Sequence, residues 1–245
     1  MTLIEYHADL KEVQSDPALV RLLCPEAADA PFDRLIWWQM LAEHCGLRPL
    51  LAVARTGDAL AALPLAQGNR ELTGLANWYT FRYRPIVSDG ADRDALLGAI
   101  ARDLAHRCRK VTLSAVPDED GSASALTAAF ARSGWLVLRE VCDTNHILRL
   151  KGRDWNAYHA GLPGPLRTTL KRKAKKLDCA VLTRFDDAVW AQYEAIYAES
   201  WKPEEGSPAF LRAFAKGESE AGRLRLGTVH AGGQRVAAQM WMVEG

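Results

Sequence analysis

The sequence predicts an α/β (α+β) protein in which one strand-and-helix domain occurs twice, with mixed, mainly antiparallel sheets flanked by helices and a second copy that is incomplete. Two observations carry this. The first is an internal echo. Residues 31–65 read PFDRLIWWQMLAEHCGLRPLLAVARTGDALAALPL and residues 208–241 read PAFLRAFAKGESEAGRLRLGTVHAGGQRVAAQMW. Each passage starts at a proline followed by an aromatic residue and a helical apolar pattern. A strand, a glycine-bearing turn and a second strand with a double alanine follow, Ala61-Ala62 in one and Ala237-Ala238 in the other. Glycine turns between short apolar strands are hairpin signals, and recurrence at a fixed offset of about 176 residues points to a duplicated domain, not a short-period solenoid. The second observation is alternation of strand-like and helix-like segments, which builds a mixed layer of sheet and helices.

In chain order, strands are expected at 50–55, at 71–77 and at 83–87, the last two around the aromatic loop Trp78-Tyr79-Thr80-Phe81-Arg82. A helix over 92–107 opens on acidic residues, which favour a helix N-terminus. Residues 110–116 read as a β-branched strand. A helix over 122–133 stops at Gly134, a residue suited to the left-handed cap, and strands are expected at 135–141 and 145–150. The passage 163–177, PGPLRTTLKRKAKKL, sets Leu166, Leu170, Ala174 and Leu177 on one stripe of a basic helix. A further helix over 188–201 closes before Pro203. These elements divide the chain into a first domain with an N-terminal extension (1–155), a basic helix and connector (156–206) and the start of a second domain (207–245). A second copy as long as the first is expected to run well past Gly245, so the sequence reads as a fragment.

A net charge of +1 over 245 residues gives no global pull toward nucleic acid, and DNA is not an expected partner. The N-terminus lacks the basic start and apolar core of a signal peptide, and no stretch approaches the roughly 20 apolar residues of a membrane span. A cytoplasmic location is the expectation. Five scattered cysteines form no C-x-x-C pair, and six histidines show no metal-ligand spacing. No metal is expected.

Taken in order, the basic helix Leu166-Arg167-Thr168-Thr169-Leu170-Lys171-Arg172-Lys173, the tryptophan-ended helix before Pro203 and the strand Val236-Ala237-Ala238-Gln239-Met240-Trp241 resemble the GNAT-fold acyltransferases associated with cellulose and exopolysaccharide biosynthesis. Those proteins are relatives of the Fem-type aminoacyltransferases. The resemblance spans nearly the whole chain and implies two tandem GNAT-like domains. It also implies transfer from acyl-CoA, typically acetyl-CoA, to an amine or hydroxyl of a small-molecule, glycan or peptide acceptor. In such folds a splayed strand pair holds the pantetheine arm and helix N-terminal amides hold the pyrophosphate. A neutral amine attacks the thioester, so no nucleophilic Cys or Ser is expected. The corresponding phosphate loop here, 84–92, has one glycine and two aspartates. The first copy therefore reads as degenerate, with the donor site assigned to the part beyond Gly245 and the catalytic base unassigned.

The acceptor candidates are Trp78, Tyr79 and Arg82 in the aromatic loop and Gln239 and Trp241 on the second hairpin. Aromatic faces beside arginine suit a sugar or peptide; core packing is the competing reading for the aromatic residues. Arg167, Lys171, Arg172 and Lys175 are candidates for an anion or phosphate, or for contact with an anionic surface. Two other functions stay open: a non-catalytic scaffold that binds an anionic polymer or partner through the basic helix, and a Fem-type tRNA-dependent aminoacyltransferase.

Overall fold

The structure, a computed structural model, describes residues 1–69, 71–142, 144 and 146–244. Among these residues eight α-helices and two sheets form two compact units, Met1–Cys142 and Asp143–Gly245. The mixed α/β architecture matches the fold class read from the sequence.

The first unit opens on β1 (Leu3–His7), α1 (Pro17–Leu22) and α2 (Leu35–Cys45), followed by the hairpin β2 (Pro49–Thr56) and β3 (Ala59–Gln67). Then come β4 (Leu72–Gly74), β5 (Ile86–Val87), α3 (Arg93–Leu104), β6 (Val111–Thr112) and α4 (Ser122–Arg132). The hairpin is buried on both faces, which explains its almost unbroken apolar sequence. Ala52, Ala54, Ala61, Leu63 and Leu65 share a core with Leu96, Leu97, Ile100 and Leu104 of α3 and Phe130 of α4. The alternate residues Leu51, Val53, Leu60 and Ala62 are buried as well. Alanines at the paired positions 54 and 61 leave room for α3 to lie close against the sheet.

Pro64 explains how the far edge of β3 is divided. That edge pairs with β5 at Ala61 and Ala62 and with β4 at residues 65–67, leaving Leu63 and Pro64 without a strand partner there. The Pro64 carbonyl faces the gap and accepts from the Leu75 N–H at 2.9 Å and the Tyr83 hydroxyl at 2.7 Å. Carbonyl and N–H of one strand residue point the same way, so the missing proline N–H costs no ladder bond. Tyr83 is buried with its ring against Gly74, where a Cβ would meet the ring at 3.0 Å. Burial pushes its phenol pKa well above the ordinary value. Its own N–H reaches Ala115 O at 2.9 Å, so this residue closes the space where β4 and β6 part after two parallel pairs.

The second unit contains α5 (Trp155–Ala160), α6 (Gly164–Ala174), β7 (Asp178–Leu182), α7 (Asp187–Ala198), α8 (Pro208–Glu220), β8 (Leu224–Ala231) and β9 (Gln234–Met242). Its sheet runs β7-β8-β9, antiparallel throughout. Trp190 of α7 and Phe210, Leu211, Phe214 and Ala215 of α8 are buried, as are Leu224, Leu226 and Thr228 of β8. Glu218, also buried, takes a two-pronged ion pair from Arg223 at 2.7 and 2.9 Å.

The two sheets share one register. Leu3 and Asp178, Pro49 and Leu224, and Ala59 and Gln234 begin corresponding strands, each 175 positions apart. Leu3 faces Arg55 as Asp178 faces His230, and His7 faces Leu51 as Leu182 faces Leu226. Gly57 and Gly232 open the two turns with the same φ of +58°. The double alanines stand 176 apart because β9 carries a bulge between the pairs His230–Arg235 and Val229–Ala237. Beyond the bulge Val229 faces Ala237 as Ala54 faces Ala61.

Several expected boundaries change. Leu3–His7, read as part of an extension, is a strand of the first sheet. The segment 135–141 forms no strand among the described residues: it alternates, with Trp135 and Val137 against the core and Leu136 and Leu138 exposed, but no described neighbour supplies ladder bonds. The described residues of 146–150 are unpaired too, and Asn145 lies outside the described residues. The basic helix ends at Ala174, leaving Leu177 at the entry to β7, and α7 ends at Ala198, ahead of Trp201.

Asp16 caps α1, accepting from the Ala18 and Leu19 N–H groups at 2.8 and 3.2 Å, and pairs with Arg55 of β2. Burial opposes its ionisation, but those N–H groups and the guanidinium outweigh burial and hold its pKa below the ordinary carboxylate value. A depressed carboxylate contributes stability above its unfolded pKa, near 4, and loses it as pH falls through the folded value. Asp16→Ala is expected to cost about 0.5–2 kcal/mol at neutral pH. Urea titrations from pH 7 down to 3 should show the gap between parent and variant closing below about pH 4.

Candidate functional site

The aromatic loop of the first unit is locked by short-range hydrogen bonds. The Asn77 carboxamide oxygen accepts from the Tyr79 N–H at 3.0 Å and the Thr80 hydroxyl at 3.2 Å, and the Thr80 hydroxyl accepts from the Asn77 N–H at 3.1 Å. Asparagine seeds such a turn because its side chain can imitate a backbone carbonyl. The lock presents Trp78, 79% exposed, and Phe81, 77% exposed, whose ring meets Phe32 edge-on at 5.9 Å. Tyr79 is half-buried. Core packing, the competing reading, fails for Trp78 and Phe81 and holds for Tyr83.

Arg82 is no free anion hook. Its guanidinium donates to the buried Asp33 carboxylate at 2.7 Å, which also takes Arg84 at 2.9 and 3.1 Å. Arg84 reaches Asp29 at 2.6 Å, and these carboxylates outweigh the effect of burial and raise its pKa. Asp33 is the residue that sequence reading missed. It lies 49 positions before Arg82, with no local motif to mark it. With both arginines neutralised, the loop offers aromatic surface without net charge. The stretch 84–92 likewise takes up its own polar groups: Ser88 bonds to Leu60 at 2.9 Å, and Asp92 caps α3 through the Ala95 N–H at 3.0 Å. Asp92 thus fills the anion position at the start of α3 with the chain's own carboxylate.

In the second unit Gln239 and Trp241 share one face of the sheet. Cross-strand partners point the same way, so Cys179, Val229 and Ala237, then Val181, Gly227 and Gln239, then Arg225 and Trp241, form this face. Leu224, Leu226 and Thr228 point to the buried side. The near face is open: Val181 is 60% and Trp241 52% exposed, and Gln239 is exposed. The Trp241 ring lies over Gly227, 3.5 Å from where a Cβ would stand. Gln239 therefore presents a carboxamide beside an indole, on an edge strand with a glycine floor.

Arg167, Lys171, Arg172 and Lys175 are all exposed at α6 and its C-cap. At the end of that helix Lys175, Lys176, Asp178 and His230 surround an open hollow of about 560 Å³ with Gly232 and Gly233 of the hairpin turn. The sequence reading placed His230 on a strand and Gly232 and Gly233 in its turn but named neither as a site, since only the register brings residue 230 opposite residue 178. Among the described residues no group of three or more His, Cys, Asp or Glu is placed to hold a metal.

Asp33→Ala is expected to cost about 3–5 kcal/mol by leaving two arginines without their shared partner, whereas Trp78→Ala should stay within about 0.5 kcal/mol of the parent. Equilibrium unfolding of both variants checks this pair of expectations. No curated protein matches the chain. Residues 165–245, which hold α6, the open-faced sheet and helices α7 and α8, match the family model described as an acetyltransferase (GNAT) domain, and acyl transfer is the general chemistry that this match supports.

Proposed function

We propose that the chain is an acyltransferase that moves an acyl group from acyl-CoA, acetyl-CoA in the first instance, to an amine or hydroxyl of a glycan or peptide acceptor in envelope or polysaccharide assembly in the cytoplasm. The observation that carries the reading is the register shared by the two sheets, one of which lies inside the segment matched to the acetyltransferase domain. It favours two GNAT-like units in tandem, of the kind associated with cellulose and exopolysaccharide biosynthesis. In the reaction a neutral acceptor nitrogen or oxygen attacks the thioester carbon. The new C–N or C–O bond forms as the C–S bond breaks, and the acceptor's proton balances the departing thiolate. The Gln239 carboxamide would orient the acceptor and the Trp241 indole would stack on it.

Two contacts support a different part for the first unit. Asp92 occupies the N-terminus of α3, and Tyr83 fills the space between β4 and β6. In this reading the first unit is a scaffold that adds Trp78 and Tyr79 as acceptor contacts and binds no donor.

The full-length protein incubated with acetyl-CoA and a panel of amino sugars, sugars and amine-bearing peptides should release CoA thiol only when an acceptor gains the acetyl group. Gln239→Ala is expected to lower kcat/KM about tenfold, the worth of one hydrogen bond, without lowering the melting temperature. The reading is wrong if acetyl-CoA neither binds the full-length protein in calorimetry nor yields thiol with any acceptor.

A further inference from the structure

We infer that α6 is an interfacial helix that docks the chain on an anionic phospholipid surface. Its sequence is acid-free for a long run: from Trp155 to Leu177 there is no Asp or Glu, while Arg167, Lys171, Arg172, Lys173, Lys175 and Lys176 fall within it. Among the described residues none of these six cations makes an ion pair, whereas Arg55, Arg82, Arg84, Arg107, Arg132 and Arg139 of the first unit do. Six neighbouring positive charges with no internal partner call for a negative surface outside the chain.

Charge alone would suit any polyanion, and the apolar stripe separates the alternatives. Leu166 and Leu170, 44% and 42% exposed, stand four residues apart on one side of the helix, with Ala174 next in line. No residue of α6 is buried, whereas α8 in the same unit buries five. An isolated helix of 11 residues is shorter than the roughly 12–15 that stand alone in water, so α6 needs a surface to lie on. A nucleic acid would satisfy the cations and leave the leucines wet. A bilayer interface takes both, the leucines at the acyl boundary and the cations among the headgroups. Trp155, 66% exposed at the start of the preceding helix α5, is the residue type that favours that depth. At the end of the helix Lys175 and Lys176 line an open hollow with Asp178 and His230, two cations against one carboxylate at the place a headgroup phosphate would reach. None of this depends on the acyltransferase reading.

Co-sedimentation of the whole chain with vesicles tests the proposal. Binding is expected to phosphatidylcholine vesicles containing phosphatidylglycerol, weakened by salt, and not to phosphatidylcholine alone. The triple variant K171A/R172A/K175A should bind about a hundredfold more weakly, at roughly fivefold per cation near the surface. Leu166→Gln with Leu170→Gln should cost roughly tenfold while circular dichroism and melting stay at the parent values, since both side chains are exposed. Equal binding to both vesicle types, no binding to the anionic ones, or a double-leucine variant that binds like the parent would each overturn it. In the last outcome a soluble polyanion such as tRNA, competing fully with the vesicles, becomes the partner to pursue.

Discussion

Both sheets depend on one constraint, the register of a hairpin closed by a glycine in the left-handed region. Side chains alternate across a strand, so a slip of one residue would carry every core residue of β2 and β3 to the wrong face. Gly57 sets that register in the first unit and Gly232 in the second, at the same φ. Once it is set, Ala54 and Ala61 face α3, and Leu51 and Leu60 are buried behind them. Pro64 then falls where β3 needs no N–H. The bulge in β9 shows the register being kept despite an extra residue: the pairs on both sides of it retain the pattern of the first unit.

The two units use the same ladder differently. In the first, both faces of the hairpin are covered and the polar groups around it are consumed internally, Arg82 and Arg84 by Asp33 and Pro64 O by Tyr83. In the second, α7 and α8 lie beside a buried face made by Leu224, Leu226 and Thr228, while the other face leaves Gln239 and Trp241 in solvent. A site needs polar groups that the fold has not already satisfied. That requirement separates Gln239 from Arg82 more clearly than residue type does.

The fold was legible where local pattern and tertiary packing agree. The double alanines, the glycine turns and the amphipathic helices 93–104 and 208–220 all follow from periodicity and turn chemistry. The role of residues 3–7 was hidden because a five-residue edge strand carries too little pattern to separate it from a loop. Residues 135–141 show the reverse case: their alternation is that of a strand, yet hydrogen-bonded pairing needs a neighbour, and no local sequence encodes one. Among the candidate residues, Trp78, Gln239 and Trp241 could be singled out by residue type and position, but their exposure could not, because core packing fits the same residue types. Asp33 was not, because an ion pair across 49 residues leaves no spacing to read.

A shared ladder in two settings gives the chain an internal control for its own dynamics. The amides around Ala54 and Ala61 sit between covered faces, so their exchange with deuterated solvent tracks opening of the whole first unit. The matching amides around Val229 and Ala237 lie under a face that is open among the described residues. Their exchange proceeds through local fraying that leaves the helices in place. The difference between the two sets, residue by residue along one register, isolates what a second covered face adds to a hairpin of fixed geometry.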